Sequence, residues 1–122
     1  MRFCTIVLLL AGVASAEEAP RFNRDVRPIL SAKCFACHGP DARARKGDLR
    51  LDDRGAALAH GAIVAGTPEK SAIIERITTA DADDRMPPAS SELTLSPQEI
   101  DVLHRWIAAG AEYEPHWAFV PP

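Results

Sequence analysis

Two cysteines separated by two residues and followed at once by a histidine, Cys34-Phe35-Ala36-Cys37-His38, stand in the first third of the chain. One turn of backbone holds both thiols on one side and delivers an imidazole just beyond them. That is the spacing of a c-type haem attachment sequence, in which the sulfurs add to the vinyl groups and the histidine ligates iron. Other uses of a CxxC pair need company that this chain lacks. A redox dithiol expects a βαβ pattern around it, and a structural zinc site expects a further pair of Cys or His ligands at short spacing. The remaining cysteine is Cys4, and His60, His104 and His116 are scattered singly.

The start of the chain reads as an export signal. Residues 1–16 combine a basic Arg2, an apolar run over 3–13 and the small-x-small site Ala14-Ser15-Ala16, the pattern of a cleaved signal peptide. The run falls short of the roughly 20 apolar residues that span a bilayer, so no stable membrane span is expected after cleavage. The mature protein is expected in the periplasm or otherwise exported. Cys4 opens the apolar run and does not follow it, which argues against a lipid-bearing cysteine at the cleavage site. Cleavage removes Arg2 alone from the 14 basic residues, leaving 13 against 17 acidic ones, a balance of −4. Such mild acidity excludes nucleic acid as a natural partner. Only the two motif cysteines then remain, and an exported domain of about a hundred residues without a disulfide needs another staple. A covalent cofactor supplies one.

The rest of the mature chain is patterned for helices, with no strand alternation and no internal repeat. Residues 23–33 predict a helix running into the motif, with Val26, Ile29 and Leu30 on one face. Asp25 as N-cap would place Pro28 harmlessly in the first turn, whereas a start at Asn23 would put a kink at Pro28. Gly39-Pro40 stops the motif helix. A basic loop follows, with Arg43, Arg45, Lys46 and Arg50; it reads either as solvated or as lying near a haem edge and its propionates. Leu49 and Leu51 alternate around Arg50 and are expected to tuck against the cofactor, and Asp52 or Asp53 is placed to cap a short helix that closes at His60-Gly61.

Thr67-Pro68-Glu69 reads as the next helix start, with Thr67 as N-cap and Pro68 in the first position; Ile73, Ile74 and Ile77 form its apolar stripe before it ends at Thr78-Thr79. The acidic stretch 81–84 reads as a solvated loop, since it lacks the spacing of a calcium loop. Ser96-Pro97-Gln98-Glu99 is a capping box, and Gly110 is the C-cap candidate. At 100° per residue Ile100, Val102, Leu103, Trp106, Ile107 and Gly110 share one arc opposite Asp101 and Arg105. Gly110 within that arc predicts a close helix approach, with the helix over 26–33 as the expected partner. The fold class is all-α.

One histidine leaves iron with an open axial position, and its occupant separates electron transfer from ligand chemistry. Met86 is the sole methionine of the mature chain and sits in Arg85-Met86-Pro87-Pro88, where two prolines forbid a helix that would claim it for packing. It is the sixth-ligand candidate on that ground and on the soft-ligand preference of haem iron in electron carriers. His60 is the competitor; His104 reads as a surface residue and His116 belongs to the tail. No nucleophile with a base, no carboxylate pair in an apolar setting and no phosphate-binding glycine loop is present, so a catalytic residue set is not expected.

These residues resemble those of class I cytochromes c and, more closely, the Planctomycete-type cytochrome c domain. The likeness is carried by Phe22 with Val26-Arg27-Pro28-Ile29-Leu30, by the motif through Gly39, by Leu49-Arg50-Leu51-Asp52, by Pro68-Glu69-Lys70-Ser71, by Arg85-Met86-Pro87-Pro88, and by Trp106-Ile107 with Gly110-Ala111. It covers about residues 21–119. The resemblance implies one covalent haem c on Cys34 and Cys37, His38 as proximal and Met86 as distal iron ligand, and electron transfer with redox partner proteins. In the family such a domain commonly opens a longer secreted protein, and His116-Trp117-Ala118-Phe119 resembles the start of a linker. The implied layout is a signal peptide over 1–16, a haem domain over 17–112 and a tail or truncated linker over 113–122. The alternative function is a haem-based ligand sensor or small peroxidase-like enzyme with a displaceable sixth ligand.

Overall fold

A computed structural model describes residues 18–116, 118 and 121; the expected signal peptide and Cys4 lie outside them. The described residues form short helices joined by loops, with no strand among them. In order these are a π-helical turn over Phe22–Val26 that runs into α1 (Arg27–Lys33), α2 (Phe35–His38), α3 (Arg54–His60), a 3₁₀ turn over Pro68–Lys70, α4 (Ala72–Thr78), a second 3₁₀ turn over Ala89–Ser91, and α5 (Pro97–Ala108). None is long and apolar enough to cross a membrane. Helices this short are marginal alone, so tertiary packing has to hold them.

Pro28 shapes the first helix differently from the Asp25-capped start that the sequence suggests. The chain turns helical at Phe22, in π register: the Val26 N–H reaches the Arg21 carbonyl, and the Arg27 N–H reaches that of Phe22. The pairing then returns to the α register around Pro28, the residue that has no N–H to contribute. Asp25 is therefore inside the helical turn, where its carboxylate accepts the Arg21 N–H at 2.8 Å.

The next two starts show what capping demands. Asp53 caps α3 by accepting the Ala56 N–H at 2.8 Å, and Gly61 closes it in the left-handed region at φ 81°. Thr67-Pro68 opens only the 3₁₀ turn, and α4 begins after Ser71. The Ser71 side chain explains the delay. It is buried, accepts the Val64 N–H at 2.8 Å and donates toward the Thr67 carbonyl at 3.1 Å, so it holds two backbone segments together in place of capping a helix.

The capping box at the head of α5 is complete: Ser96 Oγ accepts the Glu99 N–H at 3.1 Å and Glu99 accepts the Ser96 N–H at 3.0 Å. The C-cap itself is Ala109, with Gly110 one residue beyond at φ 116°. The Ala111 N–H returns to the Trp106 carbonyl and the Gly110 N–H to that of Ile107, a Schellman closure. Gly110 is thus required by backbone geometry and not by a close helix approach, since a Cβ there meets only Glu112 at 3.9 Å. The chief partner of α5 among the N-terminal elements is the Phe22–Val26 turn and not α1.

Between these elements lies one apolar core. Phe22, Val26, Leu30, Ile63, Leu103, Trp106 and Ile107 are its most buried large residues, each worth about 1.5–3 kcal/mol of apolar burial. Phe22 stacks on Tyr113 at 4.3 Å and meets Trp106 at 5.7 Å. The chain after α5 is drawn onto the first helix and onto α3 by polar contacts: Glu114 accepts from the Asn23 N–H and from Arg21, and Arg54 at the head of α3 donates to the carbonyls of Ala111 and Gly110.

Candidate haem site

Cys34 is the corner between α1 and α2: its N–H closes the first helix on the Leu30 carbonyl, and its carbonyl accepts the N–H groups of Cys37 and His38. Cys34 and Cys37 stand three residues apart on this turn, so their side chains leave the same face. Both thiols are free and half-buried. Cys34 packs against the core; burial, with a smaller contribution from the negative charge of Glu99, pushes its thiol up to about 11. Burial therefore keeps the thiol in its neutral form at neutral pH.

His38 ends the same turn, and the basic loop folds back to orient it. The Lys46 N–H donates to the Cys37 carbonyl at 2.7 Å, and the Lys46 carbonyl lies 3.1 Å from His38 Nδ1. A carbonyl can only accept, so Nδ1 carries the proton and Nε2 presents a lone pair. Burial, the largest influence on the ring, holds the His38 pKa below the ordinary histidine value, against the opposing pull of the Lys46 carbonyl. The neutral ring that results is the form that binds metals.

The loop's charges are partly spent on the backbone of the motif. Arg45 donates to the carbonyls of Gly39 and Pro40, and Arg50 pairs with Asp52 through two contacts at 3.1 and 2.6 Å. That pairing draws the Asp52 carboxyl below its usual range. Leu51 is buried in the core and Leu49 packs at its edge. His60 is exposed and its Nε2 donates to the Gly47 carbonyl at 3.0 Å. Met86 follows α4, with its N–H on the Arg76 carbonyl at 2.9 Å; it is the large apolar side chain that stands out to solvent among the described residues, at 36% exposure.

Cys34, Cys37 and His38 are thus gathered in one turn with Lys46 behind them, while Met86 is carried on a separate exposed loop. His104 lies at the surface, 3.8 Å from Glu69, and His116 borders a groove of about 720 Å³ between α1, the 52–54 turn and residues 113–116. Of the motif residues only Phe35 lines that groove. The aspartates of 81–84 are exposed, and among the described residues no three His, Cys, Asp or Glu side chains converge to hold a bare metal ion. The charge of Lys46 marks it in the sequence for a place near a haem edge, whereas what it contributes here is a backbone carbonyl, a role its side chain does not announce. The signal that could have found it is the adjacent Gly47-Asp48, a pair suited to a reversing turn.

The donor set fits a haem: two thiols on one face, free of each other, and a neutral imidazole whose free nitrogen is fixed by the bond on the other. No curated protein and no solved structure matches the chain. A family model described as Planctomycete cytochrome C does match, over the stretch that begins at the first motif cysteine and runs past Met86. Over residues 34–90 the chain is therefore similar to the Planctomycete cytochrome C family, a likeness that supports a haem-binding electron-transfer domain.

Proposed function

We propose that the protein is an exported single-haem c-type cytochrome that carries electrons between redox partner proteins, with thioether bonds at Cys34 and Cys37, His38 as proximal ligand and Met86 as distal ligand. The observation that carries the reading is the His38 Nδ1 contact to the Lys46 carbonyl at 3.1 Å. It leaves Nε2 as the ligating nitrogen within one turn of two unpaired thiols. A bound haem would supply a one-electron ferric/ferrous couple. The chain's own part is to anchor the group through the two sulfurs, fix the imidazole tautomer from Lys46, and present a thioether from Met86. Likeness to the Planctomycete cytochrome C family supports export, as do the basic start, apolar run and cleavage site of residues 1–16.

The test is Met86→Ala in protein made by a host with cytochrome c maturation. Wild-type protein should keep its haem through denaturing electrophoresis and show a weak far-red sulfur-to-iron band when ferric. Met86→Ala should abolish the band and lower the potential by on the order of 0.1 V, within the roughly 0.8 V over which axial ligands tune haem. A spectrum unaltered by Met86→Ala refutes the distal assignment, and loss of haem under denaturing conditions refutes covalent attachment.

One observation favours a second reading, a ligand sensor or peroxidase-like enzyme: Met86 is exposed on a loop, so a thioether bond from it would be easy to displace. Rapid carbon monoxide binding to the reduced wild type supports that alternative, and slow binding supports the carrier.

A further inference from the structure

His60 contributes nothing to the donor set just described, yet it is tied to the turn that holds His38. The turn runs over residues 46–49. Gly47 and Asp48 both have positive φ, at 62° and 50°, and the Leu49 N–H closes it on the Lys46 carbonyl at 3.3 Å. This is the geometry of a type I′ turn, and Asp48 holds it against the strain that a Cβ brings in the left-handed region. Lys46, Gly47 and Asp48 are all exposed, so side-chain packing does little to hold them. Besides the His38 Nδ1–H that it receives, two bonds tie the turn to its surroundings close to the motif: the Lys46 N–H on the Cys37 carbonyl, and His60 Nε2 on the Gly47 carbonyl at 3.0 Å.

His60 is well placed to act as the anchor. It is the last residue of α3, a helix closed at one end by Asp53 and at the other by Gly61, with Ala57 buried in the core. The turn is thereby pinned to a fixed platform one peptide away from the carbonyl that receives His38 Nδ1–H. Resting on the haem reading above, we propose that His60 is a positioning residue for the proximal ligand: through Gly47 it fixes the Lys46 carbonyl, and so sets how strongly His38 donates to iron. The bond also occupies Nε2 of the side chain that competes with Met86 for the distal position in the sequence.

The test compares haem-loaded wild type with His60→Ala, His60→Leu, which keeps bulk without a donor, and His60→Gln, which keeps a donor N–H. Amide exchange at Lys46 and Leu49 should quicken about tenfold in the Ala and Leu variants. Their ferrous-to-ferric ratio at a fixed applied potential should rise about threefold, because a less firmly held Nδ1 proton makes His38 a poorer donor to ferric iron. His60→Gln should restore both readings toward wild type, and the far-red sulfur band should persist throughout. Wild-type exchange and potential in both His60→Ala and His60→Leu overturn the proposal. So does loss of the sixth ligand's spectrum in either, which would make His60 a ligand. The haem reading is judged separately by intact mass: a wild type without haem refutes that reading, while exchange at Lys46 and Leu49 in the same chains still decides the tie.

Discussion

The Tyr113 hydroxyl donates to the Leu51 carbonyl at 2.7 Å, and the Leu51 N–H reaches the His38 carbonyl at 2.8 Å. One buried residue thus joins the segment after α5 to the end of the CxxCH turn. Burial is also the main reason that the Tyr113 hydroxyl is held protonated above the ordinary tyrosine range, so the donor is present at neutral pH.

Tyr113→Phe keeps the ring stacked on Phe22 and removes only the hydroxyl. The expected loss is about 1 kcal/mol, or a fall of roughly 4–8 °C in the thermal midpoint for a domain of this size. Tyr113→Ala should cost more than Tyr113→Phe, because the ring contacts with Phe22 and Trp106 go as well. Thermal denaturation followed by circular dichroism measures both, and equal midpoints for the two variants would contradict the stacking contribution.

Gly39→Ala should damage the site, since Gly39 is buried in the bend that follows α2. A methyl group there runs into the backbone carbonyl of Phe35, and backbone cannot rotate away as a side chain can. The last turn of α2 has to open, which moves His38 and the Leu51 pairing with it. The expected result is a yield of covalently loaded protein several-fold below wild type, read by haem stain against total protein. Gly47→Ala is the contrast: its Cβ meets nothing within 4 Å, so only the positive φ penalises it, by about 1–2 kcal/mol, and loading should be kept.

Acid should release the C-terminal segment through Glu114. The Asn23 N–H and then Arg21 hold the Glu114 carboxyl below the ordinary value of 4.5. A carboxyl depressed in the folded state adds stability above its unfolded value and loses it as pH falls through the folded one. The difference in thermal midpoint between wild type and Glu114→Gln should therefore be full at pH 6 and shrink toward zero as pH is lowered below 4.5. A difference that stays constant from pH 6 to pH 3 would show that the carboxylate does not act through its charge.

Some of this was legible in the residues alone. Ser96 and Glu99 announce a capping box because both partners lie within one turn, and Ile73, Ile74 and Ile77 announce a buried face because helical period fixes their direction. Both appear as read. The helix into the motif is found close to its expected span, but at its start the Asp25 cap gives way to a π turn from Phe22, nearer the alternative Asn23 start, and such a turn leaves no mark in composition. Thr67-Pro68 was read one turn too early because Ser71 is committed to Val64 and Thr67, a tertiary bond that propensity cannot register.

The division has one physical origin. The amino-acid sequence by itself determined the turn bearing Cys34, Cys37 and His38, the capped last helix and the all-α class, since each rests on contacts between side chains or backbone groups within about four residues. Only the tertiary structure decided that the carbonyl of Lys46 receives the His38 proton, that His60 pins Gly47, and that Tyr113 and Glu114 return to Leu51 and Asn23. Backbone carbonyls and N–H groups are the same in every residue that carries them, so their partners are chosen by how loops close around the core and not by any letter in the chain.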